Sequence, residues 1–382
     1  MKDLVSYFFK LGSFGFGGPA ALVGYMRRDL VEDRKLIDES TYNLSIALAQ
    51  IMPGPLAAQT AMAIGYFQSG VVGATLVGLA FILPSFFIVL GLSALYVAYG
   101  GMPWMQSVFY GIGAVIIAII AIAAYRLAQG TNKRDPLLWI IFVVMLVATA
   151  WTGTELAMLF LLAGLLVLLV RAWPGTWPAV AVSGTGVLAA AVIVALERAL
   201  STSTASGDQH VLLQILLFFT KAGSFVFGSG LAIVPFLQQG VVHDMAWLSE
   251  YQFLDAVAVA LITPGPVVIT VAFIGYLVAG VAGATVAAVG IFLPVYFFTI
   301  VPAPWFRRHR DNPQLRAFAA GATAAASGAI AGAVVVLARG AIADLPTACI
   351  ALTGLVLLVR FRVPEPLLVL GAGLAGLALS RQ

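Results

Sequence analysis

Residues 10–17 read Lys-Leu-Gly-Ser-Phe-Gly-Phe-Gly, and residues 221–228 read Lys-Ala-Gly-Ser-Phe-Val-Phe-Gly. Further along, Pro53-Gly54-Pro55 returns as Pro264-Gly265-Pro266. Lys10 to Lys221 and Pro53 to Pro264 are both steps of 211 residues. The step then becomes 210. Gly65-Tyr66 returns as Gly275-Tyr276, Gly73-Ala74-Thr75 as Gly283-Ala284-Thr285, and Leu83-Pro84 as Leu293-Pro294. Gly130 and Gly340 keep that register, as do Glu155 and Glu365. A register held this long marks an internal duplication. It predicts an N-terminal repeat over 1–174, a connecting segment over 175–208 and a C-terminal repeat over 209–382. The connecting piece has no counterpart. It begins with an apolar run from Trp177 to about Ala199, long enough to span a bilayer, and ends in Ser201-Thr-Ser-Thr-Ala-Ser-Gly207.

Composition says where these repeats live. The 382 residues are 62% hydrophobic and 9% charged, with a mean hydropathy of +1.04. Soluble domains carry about 25% charged residues, so most of this surface cannot face water. Apolar stretches recur from Leu4 to Leu379. A barrel would show short alternating strands, so the expected fold is an all-α polytopic membrane protein of about 13 hydrophobic segments. The N-terminus lacks a small-residue cleavage site and reads as mature structure. A single cysteine, Cys349, excludes an internal disulfide. His210, His243 and His309 have no metal-ligand spacing. No cofactor or metal is expected, and no catalytic residue, so the protein does not read as an enzyme.

Charge orients the repeats. Loop 27–40 carries Arg27, Arg28, Arg34 and Lys35, while its counterpart 238–251 carries no Lys or Arg. Loop 94–107 is uncharged, while its counterpart 304–317 carries Arg307, Arg308, Arg310 and Arg316. Short basic loops stay cytoplasmic, so the halves are predicted to be inverted, as in many secondary transporters. Arg27 and Arg28 read as topology determinants. Pro53-Gly54-Pro55 cuts 41–68 into two pieces, each about 18–20 Å long, against a hydrocarbon core of about 30 Å. A re-entrant hairpin fits both length and charge, and Gly15-Phe-Gly-Gly-Pro19 breaks the first segment by the same grammar. Nine spanning helices and four half-membrane hairpins satisfy parity, with Arg339 out of place.

The breaks are the candidate site. Proline discourages helix at the residue before it and suits the first position of a new one. Glycine permits the unusual dihedrals between. Each break therefore starts a helix whose free amides point into the membrane, and such N-termini bind anions. Gly17, Gly18, Pro53, Gly54, Pro55, Gly228, Ser229, Pro264, Gly265 and Pro266 are predicted to line a pseudo-symmetric oxyanion site, the alternative being kinks for close packing. Lys10 and Lys221 are intramembrane cations that would neutralise a dianion or pair with a carboxylate, unless they snorkel. Ser13 and Ser224 offer hydroxyls, or else bond back to a helix carbonyl. Gln59 and Thr270 lie four residues past the second proline of each break, one helical turn on, where they line the pathway or else bridge helices. Glu155 and Glu365 begin equivalent segments, where a carboxylate suits a helix start; proton coupling is the alternative. Asp33, Asp244, Glu39 and Glu250 fall in loops that cap the next helix.

Phe14-Gly-Phe-Gly-Gly18 followed by Pro53-Gly54-Pro55, with the degenerate copy from Gly223 to Pro266, resembles the chromate ion transporter superfamily in its long two-domain form. The resemblance covers nearly the whole chain. It implies export of chromate from the bacterial cytoplasm across the inner membrane, driven by chemiosmotic gradients and conferring chromate resistance. Its partners are then chromate, with sulfate as an alternative oxyanion, the lipid bilayer and a second copy in a homodimer, and no nucleic acid. An anion channel and a membrane reductase are rival expectations. The second copy departs from the pattern where Ser229 and Gly230 replace Gly18 and Pro19, so the halves are expected to contribute unequally.

Overall fold

The computed structural model describes every residue except 17, 100–102, 153–156, 173–207, 227–229, 310–311, 362 and 380–382. Gly17, Glu155, Gly228, Ser229 and the unmatched run at 177–199 therefore lie outside the described residues. The rest forms fifteen α-helices with short π and 3-10 turns.

The chain opens with two helical hairpins. Helix α1 (Lys2–Phe14) stops at Gly15, and α2 (Gly18–Arg27) runs into a π turn, Arg28–Asp33. The Arg34 guanidinium lies 5.5 Å above the Tyr7 ring, so the chain has come back alongside its own start. Helix α3 (Glu39–Ile51) is capped by Asp38. The hydroxyls of Ser40 and Thr41 and the Thr41 amide hold the Asp38 carboxyl well below the usual carboxylate range. Pro53-Gly54-Pro55 follows, then α4 (Leu56–Tyr99), whose helical path breaks at Ser69 and Gly70. Gln68 shares a surface hollow with Lys35, Leu36, Asp38 and Glu39, so the second hairpin also ends where it began. Past the break, α4 folds back on itself. A Cβ on Gly65 would strike the Gly73 carbonyl, and one on Gly78 would sit 3.1 Å from the Met62 side chain. The 44-residue helix is thus two antiparallel arms, 56–68 and 71–99, in contact through glycine.

The same pattern recurs. Helix α8 (Asp208–Ser224) pairs with the segment holding α9 (Val234–Gln238), since Trp247 packs on Phe218 with ring centroids 5.7 Å apart. A capping box of Ser249 and Gln252 starts α10 (Glu250–Ile262). After the second Pro-Gly-Pro, α11 (Thr270–Ile300) bends at Ala279 (φ −144°, ψ 32°) and Gly280 (φ 58°, ψ −148°). The first-half values are −148°, 30° at Ser69 and 61°, −150° at Gly70. Gly275 meets the Gly283 carbonyl as Gly65 meets that of Gly73.

Contacts between halves settle their relative direction. Gly265 sits on Ser85, and Phe273 sits on Tyr96, so the second arm of α4 runs parallel to the first arm of α11. The arms of α11 are antiparallel, so the second arms of α4 and α11, which are equivalent, run in opposite directions. The two-fold relating the halves is perpendicular to the helices, which is an inverted repeat.

The remaining helices interlock the halves. These are α5 (Pro103–Asn132), α6 (Pro136–Thr152) and α7 (Ala157–Arg171), then α12 (Ala303–His309), α13 (Pro313–Ala341), α14 (Leu345–Val356) and α15 (Glu365–Leu379). Helix α13 packs along α6 and α7 of the first half, while α5 packs along α14 and α15 of the second. Small residues carry these contacts: Gly328 abuts the Phe142 carbonyl, and Gly111 that of Ala372. Arg171 pairs with Asp135, which puts the end of α7 beside the start of α6. Following the helices in turn places residues 27–35, Lys133, Arg134, Arg171, Arg307, Arg308 and Arg360 at one end of the bundle. Arg339 falls at the other end, near the Glu250 carboxylate that adjoins Gly340.

Large apolar side chains cover the outside. Val72, Leu76, Leu79, Leu83 and Phe87 form one exposed stripe on α4, with Val281, Val289, Leu293 and Phe297 on α11, and Trp151 is 89% exposed. Water would not tolerate such a surface; a bilayer requires it. Four helices of the described residues are long and apolar enough to cross a membrane, and five apolar helices are shorter. The fold is an all-α polytopic membrane protein.

In a Cys349→Ala background, single cysteines at Lys35 and Arg308 should react with a membrane-impermeant maleimide from one face, and one at Ala246 from the other. Labelling of Lys35→Cys and Ala246→Cys from the same face would refute the inversion.

Candidate functional site

The four hairpin tips meet inside the bundle. In Pro-Gly-Pro the prolines have no N–H, so the glycine amide is the motif's one backbone donor. Buried, it must find an acceptor. The Gly54 N–H donates to the Val226 carbonyl at 2.5 Å, and the Gly265 N–H donates to the Gly15 carbonyl at 2.9 Å. Val226 is the counterpart of Gly15 in the 211-residue register, so the two bonds are one contact made twice. Each Pro-Gly-Pro tip is tied to the glycine-motif tip of the opposite half.

The glycines are required there. Gly54 has φ +148°, Gly265 φ +95° and Gly18 φ +74°, all costly for an L side chain. Gly265 also presses on Ser85, whose hydroxyl donates to the Gly12 carbonyl at 3.1 Å. Gln59, on the first turn after Pro55, folds over Gly54 and donates from Nε2 to the Pro53 carbonyl at 2.7 Å. Its Oε1 is buried with no hydrogen-bond partner. In the other half Thr270 is buried, and its hydroxyl donates to the Val267 carbonyl at 2.7 Å.

The structure therefore brings together Gly54, Gly265, Pro53, Pro55, Pro264, Pro266 and Gln59, with Thr270 one turn on. It treats the other predicted residues differently. Ser13 donates to the Phe9 carbonyl at 2.8 Å, and Ser224 to that of Thr220 at 2.9 Å, so both hydroxyl protons are engaged within their helices. Lys10 is exposed on the side of α1 opposite its buried face of Leu4, Tyr7, Phe8 and Leu11. Lys221 is half-buried near the end of α8. Gly18, at the start of α2, faces the Glu365 carboxylate, whose Oε2 is 3.8 Å from where a Cβ would stand.

Sequence reasoning missed three residues here. Arg126, far along α5, is in electrostatic range of Glu365, so the glycine break of one half meets a carboxylate from the other with a guanidinium nearby. Asp255 and Tyr96 form a buried pair between the halves, with the Tyr96 hydroxyl 2.7 Å from Asp255 Oδ2. Arg126 and Asp255 were findable as isolated charges in apolar runs. Tyr96 carries no signal. Among the described residues no three His, Cys, Asp or Glu side chains are close enough to hold a metal.

The first turns of α2 and α4 at the tips have amides without intrahelical partners, the partial positive charges that suit an anion. An inverted repeat with broken helices meeting at its centre is the architecture of a secondary transporter. The chain belongs to the chromate transporter family, whose model matches residues 2–170 and 213–377. It is 54% identical to the chromate transport protein of Cupriavidus metallidurans over 378 residues, covering 99% of this chain and 92% of that one. It is 52% identical to the probable chromate transport protein of Synechococcus elongatus, covering 98% and 95%. It is 30% identical to the chromate transport protein of Pseudomonas aeruginosa, covering 98% and 91%. No solved structure matches the chain. The protein is a membrane transporter and not an enzyme.

Gly265→Ala should lower the melting temperature of the detergent-purified protein, by strain and overlap of about 1–3 kcal/mol each. Adding Ser85→Ala should restore part of the loss, because the nearest obstruction is the Ser85 hydroxyl. No restoration would mean the tips are not packed as described.

Proposed function

We propose that this protein exports chromate from the bacterial cytoplasm across the inner membrane, as a secondary transporter that holds the dianion among the four hairpin tips. The observation that carries this is the reciprocal pair of hydrogen bonds from Gly54 to Val226 and from Gly265 to Gly15. They gather several helix starts at one point, and helices of about 13 residues reach only some 20 Å from the surface, near the middle of the bilayer. The basic end is taken as cytoplasmic. Gly18 starts α2 at one of these tips, with Lys221 and Arg126 as the cations that balance the oxyanion; Gly17, Gly228 and Ser229 are proposed members of the site by their place in the sequence alone. Chromate as the substrate is supported by the chromate transport proteins to which this chain is similar. Sulfate has the same tetrahedral shape and charge, so it is the natural competitor.

Proteoliposomes loaded through a chemical gradient should accumulate labelled chromate, and unlabelled sulfate in excess should compete weakly. Equal accumulation of both anions would make this a general oxyanion carrier. Lys221→Ala and Arg126→Ala should each lower chromate transport about tenfold, a loss of about 1.4 kcal/mol. Lys10→Ala, whose side chain points away from the tips, should cost much less at equal membrane abundance. Unchanged transport in both of the first two would remove cations from the site.

A further inference from the structure

At the end of the bundle away from the basic loops, a carboxylate is buried between the halves. Asp255 on α10 is 9% exposed, and the Tyr96 hydroxyl at the end of α4 donates to its Oδ2 at 2.7 Å. Phe109 of α5 and Phe273 of α11 enclose the Tyr96 ring, with centroids 5.6 Å and 5.1 Å away.

The duplication supplies an internal control. In the repeat register Asp255 corresponds to Leu44, Tyr96 to Phe306, Phe109 to Ala319 and Phe273 to Ala63. Those four counterparts lie in one buried apolar cluster near the basic end. The fold therefore closes this junction once with leucine on phenylalanine and once with a carboxylate on a phenol. Packing does not demand the charge. Burying a carboxylate costs several kcal/mol, and ionisable groups inside a membrane are functional by default.

Tyr96 is the titratable group that faces Asp255 among the described residues. On the neighbouring elements, Glu250 of α10 lies beside Gly340, and among the described residues Tyr99 of α4, Tyr251 of α10 and Tyr276 of α11 make no hydrogen bond to Asp255. Tyr110 of α5 donates to Asp344, Arg126 of α5 lies towards Glu365 of α15, and Asp244, just before α10, accepts from Gln239.

Resting on the transport reading above, we propose that Asp255 is the proton-binding carboxylate of the transport cycle and Tyr96 its positioning partner, one such site per chain. The step is a protonation: a proton from the water at the non-basic end adds to the Asp255 carboxylate, and after that junction has closed the acid releases it to water reached from the basic end. The neutral acid is the form that favours α10 closed against α4 and α5. The carboxylate favours opening that junction to water. Because α10 leads into Pro264-Gly265-Pro266, its movement shifts one of the four tips, which links proton occupancy to the anion site.

Proteoliposomes with a trapped pH dye separate the two ideas when exchange is read with equal chromate on both sides and proton movement is read under a chromate gradient. Asp255→Asn should keep chromate–chromate exchange within about twofold of the parent and lose chromate-linked proton movement. Asp255→Leu, which copies Leu44, should show the same split with a melting temperature no lower than the parent's, which guards against a folding defect in the asparagine variant. Tyr96→Phe should keep proton movement but displace the pH profile of coupled transport. Unchanged proton movement per chromate in both Asp255 variants would overturn the assignment, as would a parent that exchanges chromate and moves no protons. A parent with no chromate exchange would overturn the transport reading itself.

Discussion

A proline-flanked glycine amide buried in a membrane has one donor and no water to satisfy it. In this protein each such amide is satisfied by the opposite half, at Val226 for Gly54 and at Gly15 for Gly265. The acceptors are themselves carbonyls freed by broken helices. Each half thus leaves an unpaired donor and an unpaired acceptor at its tips, and the other half completes both. Neither repeat can bury its fractured helices alone, which ties the local sequence grammar of Pro-Gly-Pro to the pairing of whole halves.

The outer helices extend that dependence. Helix α5 packs with α14 and α15 of the other half, and α13 with α6 and α7. The exchange spreads the interface along the full length of the bundle, through glycines at backbone contact such as Gly111 and Gly328. Lipid gives no hydrophobic drive for helices to associate, so close backbone approach and paired polar groups must supply it. The tips are consequently a joint in a scaffold braced on both sides.

Much of this was legible in the sequence, because duplication repeats a physical constraint at a countable distance. The 211- and 210-residue steps gave the two halves, loop charge gave their inversion, and the shortness of the pieces around Pro53-Gly54-Pro55 gave the fold-back. The kink at Ser69-Gly70 was less plain, since only Gln68 and Ser69 interrupt the apolar run and no proline marks the turn. Side-chain direction was less legible still. Lys10 and Ser13 lie in the motif, yet one faces outward and the other bonds its own helix, because helix rotation depends on tertiary packing. Asp255 and Tyr96 carry no repeat signal because their counterparts, Leu44 and Phe306, are apolar: repetition marks what the halves share and passes over what only one possesses.

What only one half possesses matters for direction. Two identical inverted repeats can exchange their conformations, and the inward-facing and outward-facing forms are then equal in energy by symmetry. A carrier built that way has no intrinsic preference for either face. Sequence differences between the halves are the means of setting a preference, and those at moving junctions count most. Leu44 with Phe306 closes one junction by apolar contact, which no change of pH alters. Asp255 with Tyr96 closes the other by a contact whose strength depends on charge. The Gly18 break faces Glu365, where a carboxylate from one half meets a helix start of the other. Polar groups are thus distributed unevenly on a nearly symmetric frame, and that unevenness is the structural basis on which a duplicated fold can favour one of its two conformations.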